Sequence, residues 1–270
     1  MNTKLRAFAA VLCLCVFLVS VYKVVTITLE YKEGRDSYKA LEQFAAFEAP
    51  AGWKADEAPG SEPIKDPLQI DAAQAGEIEG PAPFMPRIDF AALKEINPDI
   101  CGWIFLPDTI VNYPVAQGSN NDYYLYHLFD RTYNQAGCIF LDHRNSDLFT
   151  DGHSVIYGHH MKDGSMFKEL ANYKKQEYFD AHPELYLFTP DGNYTLELFS
   201  GYVADVWSDS WKIIQKTEKP LADWAKEACL RSCFQSGIAP EEGDRILTLS
   251  TCSYEFEDAR FVLHAILRPW

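Results

Sequence analysis

The chain has 270 residues, a formal net charge of −15 and an apolar content of 47%. This length accommodates one substantial domain with additional segments, or two small domains. Nucleic-acid-binding surfaces need clustered Lys and Arg, so the strong acidity and the absence of a basic stripe argue against a nucleic-acid partner.

Residues 1–29 are predicted to form an uncleaved membrane anchor. Lys4 and Arg6 precede an uncharged apolar run over residues 7–22, and the apolar pattern resumes after Lys23. The uncharged run is shorter than the ~20 residues that span a hydrocarbon core, but a lysine near the interface can extend its ammonium group toward water. No small-x-small cleavage site follows, which favours a signal anchor over a removed signal peptide. The two basic residues favour an inside N-terminus, so the rest of the chain is expected to be extracellular.

Residues 30–85 are predicted to form a helix followed by an extracellular spacer. Residues 30–48 have apolar side chains at helical spacing, which indicates an amphipathic helix. These side chains are Tyr38, Leu41, Phe44 and Phe47. From 49 to 83 the chain is rich in Ala, Pro, Gly, Glu and Asp. Such a segment cannot bury enough apolar surface to fold, so it is predicted to be a solvated tether.

Residues 86–270 are predicted to form one compact, mainly β domain. It begins with a short helix over 89–96, for which Asp89 is the predicted N-cap. Apolar and β-branched runs predict eight strands, at 102–106, 111–115, 137–141, 154–157, 185–188, 194–199, 245–248 and 261–267. Asp191-Gly192 predicts a hairpin turn, and residues 220–234 predict one long helix that begins near a proline. Eight short strands with few helices predict a closed or nearly closed β-barrel with peripheral helices.

The seven cysteines are an odd number, which in an exported domain leaves at least one thiol unpaired. Cys101 and Cys138 lie in strand-like segments. Cys229 and Cys233 lie one helical turn apart, a spacing more typical of core packing than of a bridge. The sequence leaves open whether either pair forms a disulfide. No C-x-x-C pattern occurs, so a zinc site is not expected.

Cys252 is the strongest candidate for a catalytic residue. It ends the apolar run that begins at Ile246, and Arg260 begins the next predicted strand eight residues later. A thiolate nucleophile needs a nearby positive group, which lowers the pKa of the thiol and stabilises a developing oxyanion. Either residue alone would more often be an inert buried thiol or a surface charge. The combination predicts a cysteine enzyme.

His159 is the candidate proton partner of that thiol. The preceding apolar strand ends at Gly158, which permits close approach of the backbone and presents His159 at the strand end. Neighbouring residues of an extended chain point to opposite sides, so only one of His159 and His160 is expected to face the thiol. A metal cluster of these two with His153 lacks a supporting carboxylate, so no metal site is predicted. His264 is expected to be a surface or satisfied core residue.

These motifs resemble the sortase signature, and more specifically that of class B sortases. The resemblance is carried by Thr248-Leu-Ser-Thr-Cys252 with Arg260, and by Tyr157-Gly-His159 far upstream. Three further stretches are similar to class B: 89–103, 138–145 and the helix at 220–234 before the cysteine strand. The resemblance covers residues 86–270 and departs from the family at His143, where an aromatic residue is expected. It implies a closed, eight-stranded sortase-type β-barrel with an N-terminal helix.

The resemblance also implies a cell-surface transpeptidase of the thiol-protease type. Cys252 would attack a threonine carbonyl in a C-terminal sorting signal and form a thioacyl intermediate. His159 would act as general acid and then as general base, and Arg260 would stabilise the oxyanion. Thr251 and Ser250 flank the nucleophile and are implied to help bind the substrate. The implied partners are surface proteins that carry the signal, and an amine of peptidoglycan, such as that of lipid II, or of a pilin. No cofactor is implied.

Two other functions fit the same residues. A secreted cysteine hydrolase or endopeptidase would use the same three side chains but release the acyl group to water. A membrane-anchored binding module would use Cys252 as a structural residue only, and its binding would survive Cys252→Ala. The sequence leaves open the sorting motif, the acceptor amine, the oligomeric state, and whether the role is general anchoring, iron uptake or pilus assembly.

Overall fold

The architecture comes from a computed structural model that describes residues 3–47, 85–214 and 219–270. The predicted spacer at 49–83 lies outside the described residues. The first element is one unbroken α-helix, α1 (Thr3–Leu41), which joins the predicted anchor to the predicted amphipathic helix. Within the described residues this is the one helix long and apolar enough to cross a membrane, judged by length and composition, with a mean hydropathy of 2.3 in its most apolar window.

The predicted helix at 30–48 ends earlier than its apolar spacing indicated. After Leu41 the chain forms a 3₁₀ turn at Glu42–Phe44 and then strand β1 (Ala45–Phe47), which pairs antiparallel with β2 (Pro86–Ile88). Tertiary pairing therefore overrides the local helical pattern, because β2 supplies hydrogen-bond partners that a helix would have supplied internally.

The remaining helices and strands follow in chain order as α2 (Phe90–Ile96), β3 (Ile100–Phe105), β4 (Asn112–Ala116), β5 (Ile139–Leu141), β6 (His153–Tyr157), α3 (Gln176–Ala181), β7 (Glu184–Thr189), β8 (Gly192–Asp205), α4 (Lys219–Arg231), β9 (Ile246–Cys252) and β10 (Ala259–Pro269). Further 3₁₀ segments lie at Tyr123–Leu125, Phe167–Lys174 and Asp209–Trp211. The predicted N-cap of α2 is confirmed, since Oδ1 of Asp89 accepts from the Ala92 N–H at 3.0 Å.

Eight of the strands close into a barrel in the order β10-β8-β7-β3-β4-β5-β6-β9. The predicted eight-stranded barrel with peripheral helices is therefore confirmed. Neighbouring strands are antiparallel except β4 with β5 and β6 with β9, which are parallel. Strands β3, β6, β8 and β9 run in one direction, so all four finish at the same end of the barrel. We call this end, where β9 finishes, the Cys252 end.

Helix α4 covers the outer face of β8 and β10 with an apolar stripe. Its buried side chains repeat at helical spacing and pack against strand residues such as Phe199 and Val262. The residues of this stripe are Leu221, Trp224, Ala225 and Ala228, and Ala222 is buried as well. The helix ends at Arg231, three residues before the predicted end, because the chain turns back to the sheet and the Cys233 N–H donates to the Gly201 carbonyl at 2.7 Å.

All seven cysteines are free thiols, which answers the question that the sequence left open. Burial raises the pKa of Cys101 well above its ordinary value and that of Cys138 to about 12. These two thiols are therefore inert core residues. Cys233 lies beyond the end of α4 and is exposed, so the core packing expected of it is not seen.

The segment of α1 that follows its apolar part packs along the barrel wall. The buried Tyr38 hydroxyl donates to the Gly137 carbonyl at 2.6 Å. Nη1 of Arg35 lies 2.7 Å from Oδ2 of Asp163. Tyr38, Leu41 and Ala45 all belong to the main hydrophobic core, so the packed body includes residues that precede the predicted domain start at residue 86.

Candidate active site

The antiparallel pairing of β9 with β10 brings Cys252 and Arg260 together. The two residues are direct partners in the register of these strands. The loop between them is closed by two backbone hydrogen bonds, from Ser253 N–H to the Ala259 carbonyl at 2.9 Å and from Ala259 N–H to the Phe256 carbonyl at 3.3 Å. Directly opposed residues have Cβ atoms ~5 Å apart. The half-buried thiol therefore faces a half-buried guanidinium, as the sequence predicted.

Arg260 keeps most of its hydrogen-bonding capacity for a ligand. Among the described residues, the hydrogen bond made by its side chain is internal, from Nη1 to the Ala259 carbonyl at 3.1 Å. A guanidinium has five N–H donors in a planar fork. The remaining donors at this strand end suit carbonyl oxygens of an extended peptide.

His159 follows the neighbouring strand β6 and lies level with Cys252. Strand β6 runs parallel to β9 with Tyr157 opposite Ser250. Two further residues along each chain lead to His159 and Cys252. Gly158 N–H continues the pairing by donating to the Ser250 carbonyl at 3.0 Å. The parallel register thus delivers the imidazole and the thiol to the same height at the Cys252 end.

Gly158 is needed for this arrangement because its surroundings leave no room for a side chain. A Cβ atom there would lie 2.4 Å from Cδ1 of Ile139 and 2.6 Å from Cδ2 of Phe167. The glycine therefore permits the close packing under the strand end that presents His159.

The tautomer of His159 follows from its hydrogen bond. Its Nε2 lies 2.8 Å from the carbonyl oxygen of Leu125. A carbonyl oxygen only accepts, so Nε2 carries the hydrogen and Nδ1 carries the lone pair of the neutral ring. The nitrogen that can exchange a proton with a thiol or an amine is therefore Nδ1.

The His160 ring contacts the main chain of the strand that carries the nucleophile. Nδ1 of His160 donates to the Cys252 carbonyl at 3.1 Å, and its ring makes an edge contact with the Tyr254 ring at 5.2 Å between centroids. Burial lowers the pKa of His160. The sequence predicted that only one of the two histidines faces the thiol, but it did not reveal that the second holds the peptide group of the nucleophile.

The two residues predicted to help bind substrate are buried within β9. Oγ of Ser250 accepts from Nε1 of Trp211 at 2.9 Å. Oγ1 of Thr251 is buried, and the described part of the chain provides no hydrogen-bond partner for it. Ser250 therefore fixes the segment after β8, while the Thr251 hydroxyl retains an unused hydrogen-bonding capacity next to the nucleophile.

A buried carboxylate that sequence reasoning missed supports the strand that leads to His159. Asp142 is fully buried and accepts from Arg144 Nη2 at 2.7 Å, Tyr157 Oη at 2.9 Å and Asn121 Nδ2 at 2.9 Å. Burial alone would raise the pKa of Asp142, but these hydrogen bonds outweigh it and lower the pKa to about 2. The sequence signal for this group is the stretch 138–145, which resembled the family without revealing a role for Asp142.

A second missed cluster fixes the loop that follows the nucleophile. Nζ of Lys174 donates to Oγ of Ser253 at 3.0 Å and forms a short ion pair with Glu255. Ser253 also donates to Glu255 at 2.5 Å. The hydrogen bonds from Lys174 and Ser253 lower the pKa of Glu255 to about 2. This cluster ties the β9–β10 loop to the 3₁₀ segment Phe167–Lys174.

His153 does not lie with His159 and His160 but deep between β9 and the segment that follows β8. Its Nδ1 lies 2.7 Å from the Lys212 carbonyl oxygen and its Nε2 lies 2.7 Å from Oγ1 of Thr248. The same hydroxyl lies 2.7 Å from Nδ1 of His264. His264 is fully buried, so the core alternative of the two expectations holds, but it is only half satisfied, because its Nε2 has no partner in the described structure. No group of three or more potential metal ligands gathers within the described ranges.

Comparison with known proteins places this arrangement in one family. A family model described as "Sortase domain" matches residues 104–268. Sortase B of Listeria monocytogenes is 36% identical over 187 residues, which cover 67% of this chain and 74% of that protein.

Solved structures agree with the sequence comparison. The crystal structure of Staphylococcus aureus sortase B has a TM-score of 0.64 at 33% identity, covering 68% of this chain and 88% of that one. Sortase B from Bacillus anthracis, solved in complex with AAEK1, has a TM-score of 0.69 at 29% identity, covering 90% of this chain and 100% of that one. The chain therefore belongs to the sortase family, whose members are cysteine transpeptidases.

Proposed function

We propose that this sortase cleaves a C-terminal sorting signal after threonine and transfers the protein to an amine through a thioacyl intermediate on Cys252. The observation that carries the proposal is the register of β9, which gives Cys252 a guanidinium partner on β10 and an imidazole partner at the end of β6. Nucleophile, proton carrier and oxyanion donor are the three functions that acyl transfer through a thioester requires.

The first half of the proposed reaction forms the thioester. The Cys252 sulfur bonds to the threonine carbonyl carbon while its proton passes to Nδ1 of His159. Arg260 donates to the oxyanion of the tetrahedral intermediate. The C–N bond then breaks, and the same proton passes from His159 to the departing amine. The Leu125 carbonyl keeps Nε2 of His159 protonated throughout, so both transfers use Nδ1.

The second half returns the enzyme to its starting state. An acceptor amine attacks the thioester carbonyl, loses a proton to His159 Nδ1, and forms a new amide bond as the C–S bond breaks. The proton returns to the Cys252 sulfur. We further propose that Thr251 and Ser250 help bind substrate, which the unpartnered hydroxyl of Thr251 supports.

The proposed setting is the outer face of a cell membrane. Residues 1–29 would anchor the chain in a single pass with an inside N-terminus, residues 30–85 would connect them to the barrel, and residues 86–270 would carry the catalytic machinery. The apolar, exposed first part of α1 supports the anchor. The partners would be surface proteins with a sorting signal, and a peptidoglycan precursor such as lipid II, or a pilin, as the amine donor.

The alternative is a cysteine hydrolase that uses the same site and releases the acyl group to water. Quenched peptides that vary around a Thr–Gly or Thr–Asn bond distinguish the two functions when they are incubated with and without a glycine or diaminopimelate-like amine. The protein should be the full chain in detergent or nanodiscs, since Tyr38, Leu41 and Ala45 belong to the core.

Cys252→Ala is the test variant and Cys233→Ala, at another accessible thiol, is its matched control. We expect cleavage that survives Cys233→Ala, disappears with Cys252→Ala and yields an amine-capped product. Cysteine-dependent cleavage that gives only the free acid despite added amine would favour the hydrolase. Cleavage that survives Cys252→Ala would refute the proposed nucleophile.

A further inference from the structure

Helix α1 lies along the barrel in a defined direction. Just after its C-terminal end, the Phe44 carbonyl accepts from the Asp89 N–H at 2.8 Å, and α2 leads from there to Ile96, four residues before the first residue of β3. Strand β3 runs in the same direction as β9, so its first residue lies at the end of the barrel opposite the Cys252 end. Arg35 instead forms an ion pair at 2.7 Å with Asp163, which follows the two active-site histidines, and together with Tyr31 and Met161 it lines a cavity of about 590 Å³. The C-terminal end of α1 therefore lies toward the opposite end of the barrel, and the residues around Tyr31 lie at the Cys252 end.

The apolar part of α1 continues beyond that end. The helix is unbroken from Thr3 to Leu41, and its apolar side chains from Val11 to Leu29 are exposed. At 1.5 Å per residue, Leu29 lies only about 3 Å along the helix axis from Tyr31. The segment suited to a bilayer thus begins within one turn of the residue that borders the Cys252 end.

Three long-range contacts fix the helix against the barrel. The Tyr38 hydroxyl donates to the Gly137 carbonyl, Arg35 pairs with Asp163, and Nδ2 of Asn134 donates to the Glu30 carbonyl at 2.9 Å. Asp163 is itself held, because its Oδ1 accepts from both the backbone and the side chain of Ser165. Contacts distributed from Glu30 to Tyr38 set the angle between the apolar segment and the barrel.

Exposed aromatic side chains also lie at the Cys252 end. Tyr254 and Phe256 lie in the loop between β9 and β10, and their side chains are 71% and 47% exposed. Trp207 follows β8, whose Asp205 pairs with Ala259 at the start of β10, and it is 89% exposed. Tyr and Trp prefer the boundary between lipid and water, where the ring is apolar and its polar atom remains hydrated.

From this geometry we infer that the Cys252 end is the surface of the barrel that faces the bilayer, with Trp207 and Tyr254 at the level of the lipid headgroups. The partner is the headgroup interface of the membrane in which α1 is inserted. This inference rests on the proposed anchoring by α1. A peptide that reaches Cys252 would then approach between the barrel and the lipid surface rather than from the side of the cell wall.

Two exposed tryptophans at opposite ends of the barrel make the inference testable without an activity assay. Trp270 follows β10, whose 11 residues begin at Ala259 and lead away from the Cys252 end. At about 3.3 Å per residue this strand separates its ends by roughly 35 Å. Trp207 should therefore be close to the lipid headgroups while Trp270 is far from them.

The experiment uses the full chain in nanodiscs, with and without a lipid that carries a nitroxide quencher on its headgroup. We expect Trp207→Phe to remove a large part of the quenched fluorescence, and Trp270→Phe, the matched control, to leave the quenched part unchanged. Quenching that disappears with Trp270→Phe would mean that the opposite end of the barrel faces the bilayer, and it would overturn the inference. Quenching that neither variant reduces would also overturn the inference.

A second variant tests whether α1 determines the orientation of the barrel at the bilayer. A seven-residue Glu/Ala/Lys helical insertion between Leu29 and Glu30 adds about 10 Å while nearly preserving the helical phase. It should lower the quenching attributable to Trp207 by at least half, and unchanged quenching would count against α1 as the determinant. A chain that fails to insert into nanodiscs would contradict the proposed anchoring itself, an outcome separate from a wrong orientation.

Discussion

The buried pair His153 and His264 should make the fold sensitive to mild acid. Because the Lys212 carbonyl only accepts, Nδ1 of His153 carries a hydrogen and its Nε2 accepts from the Thr248 hydroxyl. That hydroxyl in turn accepts from Nδ1 of His264. Both rings are therefore neutral in the folded protein, and α4 covers them through Trp224, whose ring contacts both imidazoles.

The magnitude follows from the pKa of His153. Burial lowers this pKa from 6.5 to about 4, although the Lys212 carbonyl and Asp209 partly oppose the shift. In the unfolded chain a histidine titrates near its ordinary value of ~6.5, so at intermediate pH the unfolded state binds more protons than the folded state. The contribution of His153 is complete above pH 6.5 and falls as the pH drops toward 4. The loss is about 2 kcal/mol between pH 7 and pH 5, and about 3 kcal/mol by pH 4. Burial also lowers the pKa of His264, which adds a loss of the same sign.

Urea unfolding of residues 30–270 at pH 7 and pH 5 measures this loss, with near-ultraviolet circular dichroism as the signal. Asp142 and Glu255, whose pKa values are lowered to about 2, lose their contribution mainly below pH 5. The change in unfolding free energy between pH 7 and pH 5 therefore reports on the titration of histidines rather than of these carboxylates. We expect His153→Gln to be less stable at pH 7 but to lose about 2 kcal/mol less than the wild type on acidification.

The control is Tyr38→Phe, which removes a buried hydrogen bond elsewhere in the core but no histidine. This variant should lose as much unfolding free energy between pH 7 and pH 5 as the wild type does. Equal acid losses in the wild type and in His153→Gln would refute the reasoning, because His153 could then not be a neutral group that becomes charged on unfolding.

Three further changes test the supports of the site. Gly158→Ala should cost about 1–3 kcal/mol of unfolding free energy by overpacking against Ile139 and Phe167, and it should lower kcat more than it changes KM. Gly192→Ala is the control, because a Cβ there meets no atom of the described residues within 4 Å, and it should change neither the unfolding free energy nor kcat. Tyr38→Phe should cost about 1–2 kcal/mol in urea unfolding, because the buried Gly137 carbonyl loses its donor, and Tyr133→Phe on the surface should cost little. Asp142→Asn should destabilise the fold by about 2–3 kcal/mol at pH 7 through lost charged hydrogen bonds. That difference should shrink as the pH falls toward the folded-state pKa of Asp142, about 2, because wild-type Asp142 then takes up a proton. A difference independent of pH would contradict the role of its charge.

The barrel could be predicted from the sequence because each strand is indicated by its own local pattern of apolar residues. Runs such as 102–106 and 261–267 are apolar on both sides, and their number and spacing indicate a closed sheet. The facing of Cys252 and Arg260 was also predictable, since a short polar loop between two strands brings their ends together. Neither inference needed knowledge of a distant residue.

Features that depend on distant partners were missed. The chain from Glu42 to Phe47 has helical spacing, yet β2 pairs with its last three residues from beyond a long intervening segment. Asp142 has the same limitation, because its partners Asn121 and Tyr157 come from separate loops and strands. His153 and His264 are 111 positions apart in the sequence and meet through Thr248 and the Trp224 ring. Local periodicity contains no information about such pairings.

The adjacent histidines illustrate the same limitation at the centre of the site. Strand alternation correctly indicated that His159 and His160 differ, but it could not say what each one does. The difference comes from two carbonyl groups: that of Leu125 fixes the hydrogen of His159 on Nε2, and that of Cys252 accepts from Nδ1 of His160. The first contact leaves a basic nitrogen for proton transfer, whereas the second uses the ring to hold the nucleophile in place. Both carbonyls lie more than 30 residues from the histidines, so a proton carrier and a positioning group can be neighbours in sequence and remain indistinguishable until the barrel closes.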